Sequence, residues 1–315
     1  MIRLDAIGDA LALTPLLAAL REREIPVDLV MSAGNASVFT ARAARAVSIA
    51  PFALRDSRRA NLDEIARFGA RLRERAYSDV LVPTEDPAGY RLARATAAPR
   101  RVGFVNGWGK PFKTLWAASM LTRRIVRSAG LDGRAPHECE VLWQLGSGLA
   151  GDVPIPRDPH RLRPLLLERD ATRGGEVAFQ VTDKWERLGI DFQEVVRALQ
   201  STAAIAPLRA IAAGSELAYA RRIARAAAIE IDAFDSLAPW KAAIASAAAL
   251  VAPDSGALHV AGMVGTPTVA VFPPVHGYAL QLARWAPWAA PYRAVRADGD
   301  WPAAAAAGLQ ALLAR

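Results

Sequence analysis

The feature that most constrains the fold is a regular alternation of short apolar runs with longer amphipathic stretches. Apolar runs of strand length are typical of buried β-strands, whereas apolar residues three and four apart are typical of helices. In the first half, this pattern predicts strands at 2–6, 26–34, 47–50, 79–84 and 101–105, and helices at 11–23, 37–46, 60–76 and 88–97. Strands that alternate with helices form right-handed βαβ units around a parallel sheet.

A segment without sustained periodicity separates two series of these units. Residues 152–176 are rich in Pro, Arg and Asp, which is typical of a connection between domains. The fold class is therefore α/β, with two Rossmann-like doubly wound domains, 1–160 and 161–315, facing a cleft. Ligands of such sheets bind beyond the carboxyl ends of the strands. After the connection, strands are predicted at 176–182, 207–214, 229–234, 249–254 and 267–274, and helices at 191–202, 215–228, 236–247 and 256–264.

The strongest motif is LVAPDSGALHVAGMVGTPTVAVFPP, residues 250–274. Asp254 and Ser255 follow a predicted strand, and Gly256 opens a helix whose free N–H groups and positive dipole end suit an anion. The Ser255 hydroxyl adds a donor, and His259 lies one turn into the helix. We interpret this arrangement as a cradle for a diphosphate. The alternative is that Asp254 and Ser255 only cap the helix and that His259 is a core histidine.

A second motif, VTDKWERLG, begins at the end of the first predicted strand of the second domain. Lys184 can neutralise a phosphate as a compact charge, and the indole of Trp185 can form a pocket wall beside it. Alternatively, Lys184 is an ordinary solvated loop residue.

The third motif lies at the beginning of the chain, in IRLDAIGDALALTPLLAAL. The backbone at Gly8 can approach a ligand closely, and Asp9 stands where a strand turns into a helix. A carboxylate there can accept a proton from an attacking hydroxyl, and partial burial would raise its pKa toward the working pH. From the residues alone, the N-cap of the helix is the better explanation of Asp9.

The charge balance favours anionic partners. With 39 Lys and Arg against 31 Asp and Glu, the net charge is +8, which suits nucleotides, phosphorylated sugars or an anionic membrane face. The basic residues are scattered without interleaved aromatics, so we expect no nucleic-acid partner. In RRVGFVNGWGKPFK, residues Arg101, Lys110 and Lys113 are candidates for contacting phosphate or carboxylate groups of an acceptor, the alternative being solvated surface charges.

Several function classes are excluded by absent motifs. The chain lacks G-x-G-x-x-G after a strand, G-x-x-x-x-G-K-[ST] and G-x-S-x-G, which argues against dinucleotide oxidoreductases, P-loop enzymes and serine hydrolases. Its four histidines are far apart, so we expect no metal site. The single cysteine, Cys139, excludes a disulfide framework and favours a cytoplasmic location. Prolines interrupt the uncharged run at 255–275, so we expect no transmembrane segment.

Taken together, these motifs resemble the bacterial lipopolysaccharide heptosyltransferase family. Members begin with a strand that runs into a Gly-Asp pair and a TP-x-L-x-x-L helix, matched by Gly8-Asp9 and TPLLAAL. They carry a Lys-Arg-Trp-like loop at the start of the second domain and a PD-[ST]-G-x-x-H-x-A-x-x-x-G-T-P signature, matched by residues 253–267. The segment RWAPWAAPYRAV, residues 284–295, is similar to a late RW-x-P segment of the family.

The resemblance implies a B-type glycosyltransferase fold, an ADP-heptose donor and inversion at the anomeric carbon. It implies neither a cofactor nor a bound metal. The acceptor, a glycolipid or related glycan, is expected on the first domain and the nucleotide sugar on the second. Asp9 would be the general base, and Lys184 would meet the diphosphate. The remaining donor-binding candidates are Gly8, Thr182, Trp185, Asp254, Ser255, Gly256, Ala257 and His259.

The sequence leaves several alternatives open. The loop around Lys184 is shorter than in many members, with Gln180 near a position where they have His, so the donor could be another nucleotide sugar. A non-lipopolysaccharide acceptor, or a non-catalytic nucleotide-sugar-binding protein of the same fold, would also fit. The expected location is the cytoplasm, with contact at the inner face of the inner membrane as a further option. The sequence does not determine the oligomeric state.

Overall fold

The computed structural model describes residues 1–51, 62–127, 134–274 and 277–314. These residues divide into two compact units. The first contains the described residues of 1–129 and 138–156, and the second contains those of 130–137 and 157–315. The short stretch that ends at His137 therefore groups with the second unit, although the residues that follow it belong to the first.

The first unit consists of parallel strands flanked by helices. Its elements in chain order are β1 (Ile2–Arg3), α1 (Ile7–Leu11), α2 (Thr14–Glu22), β2 (Asp28–Met31), β3 (Ala46–Ile49), α3 (Leu62–Arg73), β4 (Asp79–Val82), α4 (Pro87–Ala95), β5 (Arg100–Val105), α5 (Pro111–Ala118), β6 (Arg123–Val126) and α6 (Glu138–Ala150). The strands pair in the orders β1-β2-β3 and β4-β5-β6, all parallel. Strands β1 and β4 lie next to each other.

The predicted helix at 11–23 is two helices, because the chain turns between Leu11 and Thr14. The Thr14 hydroxyl donates to the Leu11 carbonyl oxygen at 2.6 Å, and Pro15 occupies the first turn of α2. Proline lacks an N–H and suits the first turn of a helix better than its interior. Asp9 therefore lies in the short helix α1, separate from the long apolar helix that follows.

The predicted helix at 37–46 does not form, and this prediction was wrong. Asn35 is fully buried, and its side-chain amide donates to the carbonyl oxygens of Arg3 and Asp5 at 3.2 and 2.8 Å. These bonds hold residues 33–44 as a series of turns against the carboxyl end of β1. The segment therefore forms turn hydrogen bonds of its own and also satisfies backbone carbonyl groups at and just after the end of β1.

The second unit is one six-stranded parallel sheet in the order β12-β11-β10-β7-β8-β9, with helices between the strands. Its elements are α7 (Pro159–Leu162), β7 (Val177–Gln180), α8 (Lys184–Arg187), α9 (Phe192–Ile205), β8 (Leu208–Ala213), α10 (Leu217–Ala227), β9 (Ile231–Phe234), α11 (Leu237–Ser246), β10 (Ala249–Pro253), α12 (Gly256–Val264), β11 (Thr268–Phe272), α13 (Tyr278–Trp285), β12 (Tyr292–Arg296) and α14 (Trp301–Leu313). The order of the strands reverses between β7 and β10, which is the point where Rossmann-like sheets bind ligands.

The α/β prediction is confirmed, and the second half follows the predicted series of elements closely. The predicted helix at 256–264 has the observed bounds of α12, because Gly265 adopts φ +81° and ends the helix in a left-handed conformation. Helices α5, α7, α8, α13 and α14 and strands β6 and β12 were not predicted. No helix within the described ranges is long and apolar enough to cross a membrane.

Candidate functional site

The candidate donor site of the second unit lies where the sheet order reverses. Strand β10 ends at Pro253, Ser255 is the N-cap of α12, and Gly256 is its first residue. Ser255 is 7% exposed, yet its hydroxyl oxygen has no hydrogen-bond partner in the part of the chain that the structure describes. A buried hydroxyl without a partner is costly unless a ligand or water satisfies it. It stands beside the free N–H groups of a helix N-terminus, which is suited to receive an anion.

His259 is electrically neutral in this site. Burial, together with the charges of Lys184 and His137, lowers its pKa to about 3. Its Nε2 lies 3.9 Å from Asp254 Oδ1, which is too long for a hydrogen bond, and a neutral imidazole forms no ion pair. His259 can therefore offer a neutral hydrogen bond to a ligand but does not supply a positive charge.

Lys184 is the cation of this site. It is the first residue of α8, just beyond the end of β7, and its backbone N–H donates to the Thr182 hydroxyl at 3.2 Å. Burial raises the pKa of Asp254, and the charge of Lys184 opposes this shift. The structure therefore brings Lys184, Asp254 and His259 close enough to interact electrostatically, as the sequence predicted for a diphosphate site.

Trp185 does not form a pocket wall, and this part of the prediction was wrong. Its side chain is fully buried and stacks between Phe179 and Trp301, with ring centroids 5.8 and 5.5 Å away. Its indole N–H donates to the Gln180 carbonyl oxygen at 2.9 Å. Because the chain turns at Asp183, Lys184 interacts electrostatically with Asp254 and His259, whereas the side chain of Trp185 enters the core.

Two further donor-site candidates contribute through the backbone or through neighbours. Thr182 is buried, and its hydroxyl donates to Glu216 Oε1 at 2.6 Å. Ala257 is 1% exposed and packs into the second unit, so only its backbone N–H, in the first turn of α12, remains available to an anion.

Sequence reasoning left two aromatic residues of the second unit without a role. Trp285, at the end of α13, lies 5.3 Å from the His259 ring between centroids. Trp288 lies 4.7 Å from the His137 ring, and the Arg157 guanidinium stacks 3.7 Å above it. His137 Nε2 lies 2.8 Å from the Ala286 carbonyl oxygen and donates to it. The RWAPW run contains both tryptophans, but only the fold shows which histidine each one meets.

In the first unit, Asp9 is not the N-cap of its helix. Ala6 is the N-cap, and Asp9 lies in the first turn of α1, where its carboxylate accepts a hydrogen bond from the Ala6 backbone N–H. This resembles the second half of a capping box. The N-cap alternative for Asp9 is thereby excluded. Gly8 lies beside it in the same turn and is partly exposed.

A buried arginine stands beside Asp9. Arg3 is 2% exposed, and its guanidinium lies 3.3 Å from Asp5 and 3.3 Å from Asp9. Burial raises the pKa of Asp9, the Arg3 charge opposes this, and the charges of Asp5 and Glu138 add to the rise. The net effect is an aspartate whose pKa lies above its ordinary value, which suits a general base.

A chain of alternating charges borders this region of the first unit. Lys113 Nζ lies 2.9 Å from Glu85, which also contacts Arg127 at 2.9 Å, and Arg127 contacts Glu138 at 2.6 Å. Burial alone would raise the pKa of Glu85. The hydrogen bond from Lys113 and the charge of Arg127 have the larger combined effect, so the pKa of Glu85 is lowered. Glu138 is fully buried, and one guanidinium nitrogen of Arg127 donates to both of its carboxylate oxygens, at 2.6 and 2.8 Å.

The structure separates Arg101 from the other two predicted acceptor residues, Lys110 and Lys113, whose charges both act on Glu85. Arg101 lies near the amino end of β5, where its guanidinium donates to the carbonyl oxygens of Met120 and Ala98 at 3.0 and 2.5 Å. Arg101 is therefore at the amino end of its strand, whereas Asp9 follows the carboxyl end of β1, and the Arg101 guanidinium is occupied by backbone carbonyl groups. Lys110 is exposed, and Lys113 is held by Glu85.

Comparison with known families assigns the second unit. Residues 184–306 match the model of glycosyltransferase family 9 (heptosyltransferase). The second unit carries a glycosyltransferase family 9 domain. The matched range begins at Lys184 and includes the whole Asp254–His259 motif, so the resemblance found in the sequence is confirmed and the protein is a glycosyltransferase. Asp9 lies outside the match.

The family 9 assignment agrees with solved structures. The E. coli heptosyltransferase WaaC with ADP is 19% identical with a TM-score of 0.71, and it covers 99% of this chain and 97% of its own. The E. coli ADP-heptose lps heptosyltransferase II is 16% identical with a TM-score of 0.70 over the same shares. A family 9 glycosyl transferase from Veillonella parvula is 14% identical, with a TM-score of 0.67, covering 94% of this chain and 84% of its own.

The TM-scores of about 0.7 over nearly the whole chain establish a shared fold, so the predicted B-type glycosyltransferase architecture of two Rossmann-like units is confirmed. No curated protein sequence matches the chain significantly. Within the described residues, no group of three or more His, Cys, Asp or Glu side chains could hold a metal ion.

Proposed function

We propose that this family 9 domain protein transfers heptose from ADP-heptose to a lipopolysaccharide core or a related anionic glycan. The observation that carries the proposal is the buried, unpartnered Ser255 hydroxyl at the N-terminus of α12, with the Lys184 charge beside the same motif. A hydroxyl donor, free helix N–H groups and one lysine together suit a diphosphate. In the related WaaC structure the bound nucleotide is ADP.

The proposed reaction is an inverting displacement without a metal ion or other cofactor. The acceptor oxygen forms a bond to the anomeric carbon of the donor, while the bond from that carbon to the diphosphate oxygen breaks. The acceptor proton passes to the Asp9 carboxylate, and the electron pair leaves with ADP. Lys184 and the N-terminus of α12 stabilise the growing negative charge on the diphosphate electrostatically, as a metal ion does in other transferases.

The proposed base suits its task because its pKa is raised above the ordinary aspartate value while the carboxylate remains beside Arg3. A base is most effective when its pKa approaches the working pH. The net charge of +8 suits an anionic glycolipid acceptor. We place the enzyme in the cytoplasm, in contact with the inner face of the inner membrane.

Calorimetry with ADP, UDP and GDP, with and without magnesium, tests the donor. We expect ADP to bind most tightly and magnesium to leave the affinity unchanged. Preference for UDP or GDP would overturn the ADP donor while leaving the glycosyltransferase assignment intact. If no nucleotide binds, the diphosphate cradle itself is refuted.

Replacing Lys184 by Met should weaken ADP binding by roughly 10- to 100-fold, because a charge-assisted interaction contributes about 1.5–3 kcal/mol. The matched control is Arg187→Met, since Arg187 lies one turn further along α8, is 65% exposed and pairs with Asp183. In calorimetry, the Arg187→Met variant should bind ADP with an affinity close to that of the wild type. Equal losses in both variants would indicate general electrostatics instead of a diphosphate contact.

Replacing Ser255 by Ala separates a ligand contact from a helix cap. Loss of a capping side chain usually costs about 0.5–2 kcal/mol, but Ser255 makes no side-chain cap bond. The free energy of unfolding should therefore change by less than about 0.5 kcal/mol, while ADP affinity falls about tenfold. Urea unfolding and calorimetry measure the two effects. A clear loss of stability with unchanged affinity would show that Ser255 is only a cap.

A further inference from the structure

The first unit exposes large apolar side chains in one small region. Trp108 is 96% exposed, Phe112 86%, Leu115 69% and Val126 64%. Trp108 lies in a 3-10 turn immediately before α5, and Phe112 and Leu115 lie three residues apart on that helix, so they share one of its faces. Large contiguous apolar surface is uncommon on soluble proteins and marks an interaction site.

The turn, the helix and the neighbouring strand form one surface. The Thr114 hydroxyl donates to the Gly107 carbonyl oxygen at 2.9 Å, which ties the turn to α5. A Cβ atom on Gly107 would lie 3.4 Å from Val126 Cγ1, so the end of β6 adjoins the same turn. We call the surface formed by Trp108, Phe112, Leu115 and Val126 the α5 patch.

The packing of α5 against the first unit does not depend on the α5 patch. The buried Ala117 lies on the other face of α5, and the half-buried Trp116 lies at the border between the two faces, with its ring 5.8 Å from that of Tyr90 in an edge-to-face contact. Ala117 and Trp116 already anchor the helix to the first unit. The exposed side chains therefore contribute little to the packing of their own unit.

The fully exposed charged side chains beside the α5 patch are basic, whereas Lys113 and Arg127 are paired with the half-buried Glu85. Between residues 87 and 127 the chain contains no Asp or Glu. Lys110, Arg123 and Arg124 are exposed beside the patch, the two arginines on β6, which is the edge strand of its sheet. The same range contains nine basic residues, Arg91, Arg94, Arg100, Arg101, Lys110, Lys113, Arg123, Arg124 and Arg127.

We propose that the α5 patch docks the first unit onto an anionic phospholipid bilayer. Tryptophan and phenylalanine side chains favour the headgroup region, and neighbouring Lys and Arg residues are attracted by anionic lipids. An almost fully exposed indole protrudes from its surroundings, which suits insertion into a fluid layer that needs no complementary pocket. This inference locates the membrane contact of the proposed function, but it rests on exposure and charge and not on the reaction.

Vesicle flotation tests the apolar part of the proposal. The wild type should float with vesicles of phosphatidylcholine and phosphatidylglycerol and bind pure phosphatidylcholine far more weakly. Trp108→Ser combined with Phe112→Ser should reduce binding at least about tenfold. Leu115→Ser should also reduce it, whereas the matched control Leu62→Ser, at a leucine 62% exposed elsewhere in the unit, should leave it unchanged.

The charged part is tested in the same assay. Lys110→Ser combined with Arg124→Ser removes two charges beside the patch, which should weaken binding to anionic vesicles by roughly 30-fold. The control pair Arg221→Ser and Arg225→Ser removes two exposed charges from α10 of the second unit. This control pair should leave vesicle binding nearly unchanged, because Arg221 and Arg225 belong to the second unit and the α5 patch belongs to the first.

Three outcomes would overturn the proposal. These are absence of vesicle binding by the wild type, equal binding of all variants, and patch variants that change only the oligomeric state in sedimentation, which would identify a protein interface. Thermal unfolding of each variant separates lost binding from lost folding. Vesicle binding requires neither donor nor acceptor, so its failure would leave the proposed reaction untouched, and failure of nucleotide binding would leave the patch untouched.

Discussion

Replacing Asp9 by Asn should reduce the rate of sugar transfer by about 10²- to 10⁴-fold, the usual contribution of a general base. Asparagine keeps the shape of the side chain but cannot accept the acceptor proton. ADP affinity should remain unchanged, because the donor candidates Lys184 and Asp254–His259 belong to the second unit. Steady-state rates and calorimetry on the same preparation measure the two quantities.

The pH profile gives an independent test of Asp9. Burial raises the pKa of Asp9 above its ordinary value of 3.8, with Arg3 opposing and Asp5 and Glu138 adding to the rise. Only the ionised form can accept a proton, so transfer should decrease as the pH falls through this raised pKa. The decrease should begin at a higher pH than for an ordinary carboxylate, and the remaining activity of the Asn variant should lack this step.

Stability distinguishes a lost base from a misfolded protein. A carboxyl group whose folded pKa exceeds its unfolded pKa holds its proton more tightly in the folded state. Its contribution to stability is present at low pH and is lost as the pH rises through the folded pKa. Ionised Asp9 is therefore a small cost at neutral pH, and Asp9→Asn should be at least as stable as the wild type in urea unfolding.

The matched control for Asp9 is Glu74→Gln, which neutralises an exposed carboxylate in the same unit. It should retain the wild-type rate and pH profile. If Asp9→Asn transfers sugar as fast as the wild type, Asp9 is not the base and its position beside Arg3 serves folding alone.

The central strands of the second unit were predictable because they are buried on both faces. The β10 and β11 strands are entirely buried and stand as continuous apolar runs in the sequence. The end of α12 was also predictable, because Gly265 directly follows the helix and glycine favours the left-handed conformation in which helices end. By contrast, β12 is mostly exposed and β6 lies at a sheet edge, so their polar compositions gave no strand pattern.

The parts of the candidate site that could be predicted are those contained in one continuous motif. Asp254, Ser255 and His259 follow one strand, so their proximity is a local consequence of the strand-to-helix turn. By contrast, Trp285 packs beside His259, and His137 hydrogen-bonds to Ala286 and helps to lower the pKa of His259. These contacts arise from tertiary packing between residues far apart in the sequence. Arg127 and Glu138 similarly find each other only in the folded unit. No spacing rule connects such residues.

Trp185 shows how a local motif can mislead. It follows Lys184 directly, and the sequence alone suggests that neighbouring residues line the same pocket. However, side chains one residue apart in a short helix point in different directions. Lys184 acts electrostatically on Asp254 and His259, while Trp185 fills the core between two aromatic rings.

Replacing Trp185 by Ala should therefore lower the free energy of unfolding of the second unit by about 3–5 kcal/mol. The side chain is fully buried, stacks on Phe179 and Trp301, and donates to the Gln180 carbonyl oxygen. Urea unfolding followed by a probe of the second unit measures the loss. The matched control is Trp108→Ala, at a tryptophan 96% exposed, where the change should stay within about 0.5 kcal/mol.

Trp185→Phe completes this test, because it keeps an aromatic ring in the core and removes only the indole and its hydrogen bond. It should be less destabilised than the Ala variant and should bind ADP like the wild type under conditions where it is folded. If Trp185→Ala unfolds like the wild type but binds ADP weakly, the indole lines the donor pocket and the core assignment fails. Because ADP binds only the folded state, saturating ADP should partly restore the stability of a core variant, whereas a pocket variant would gain little.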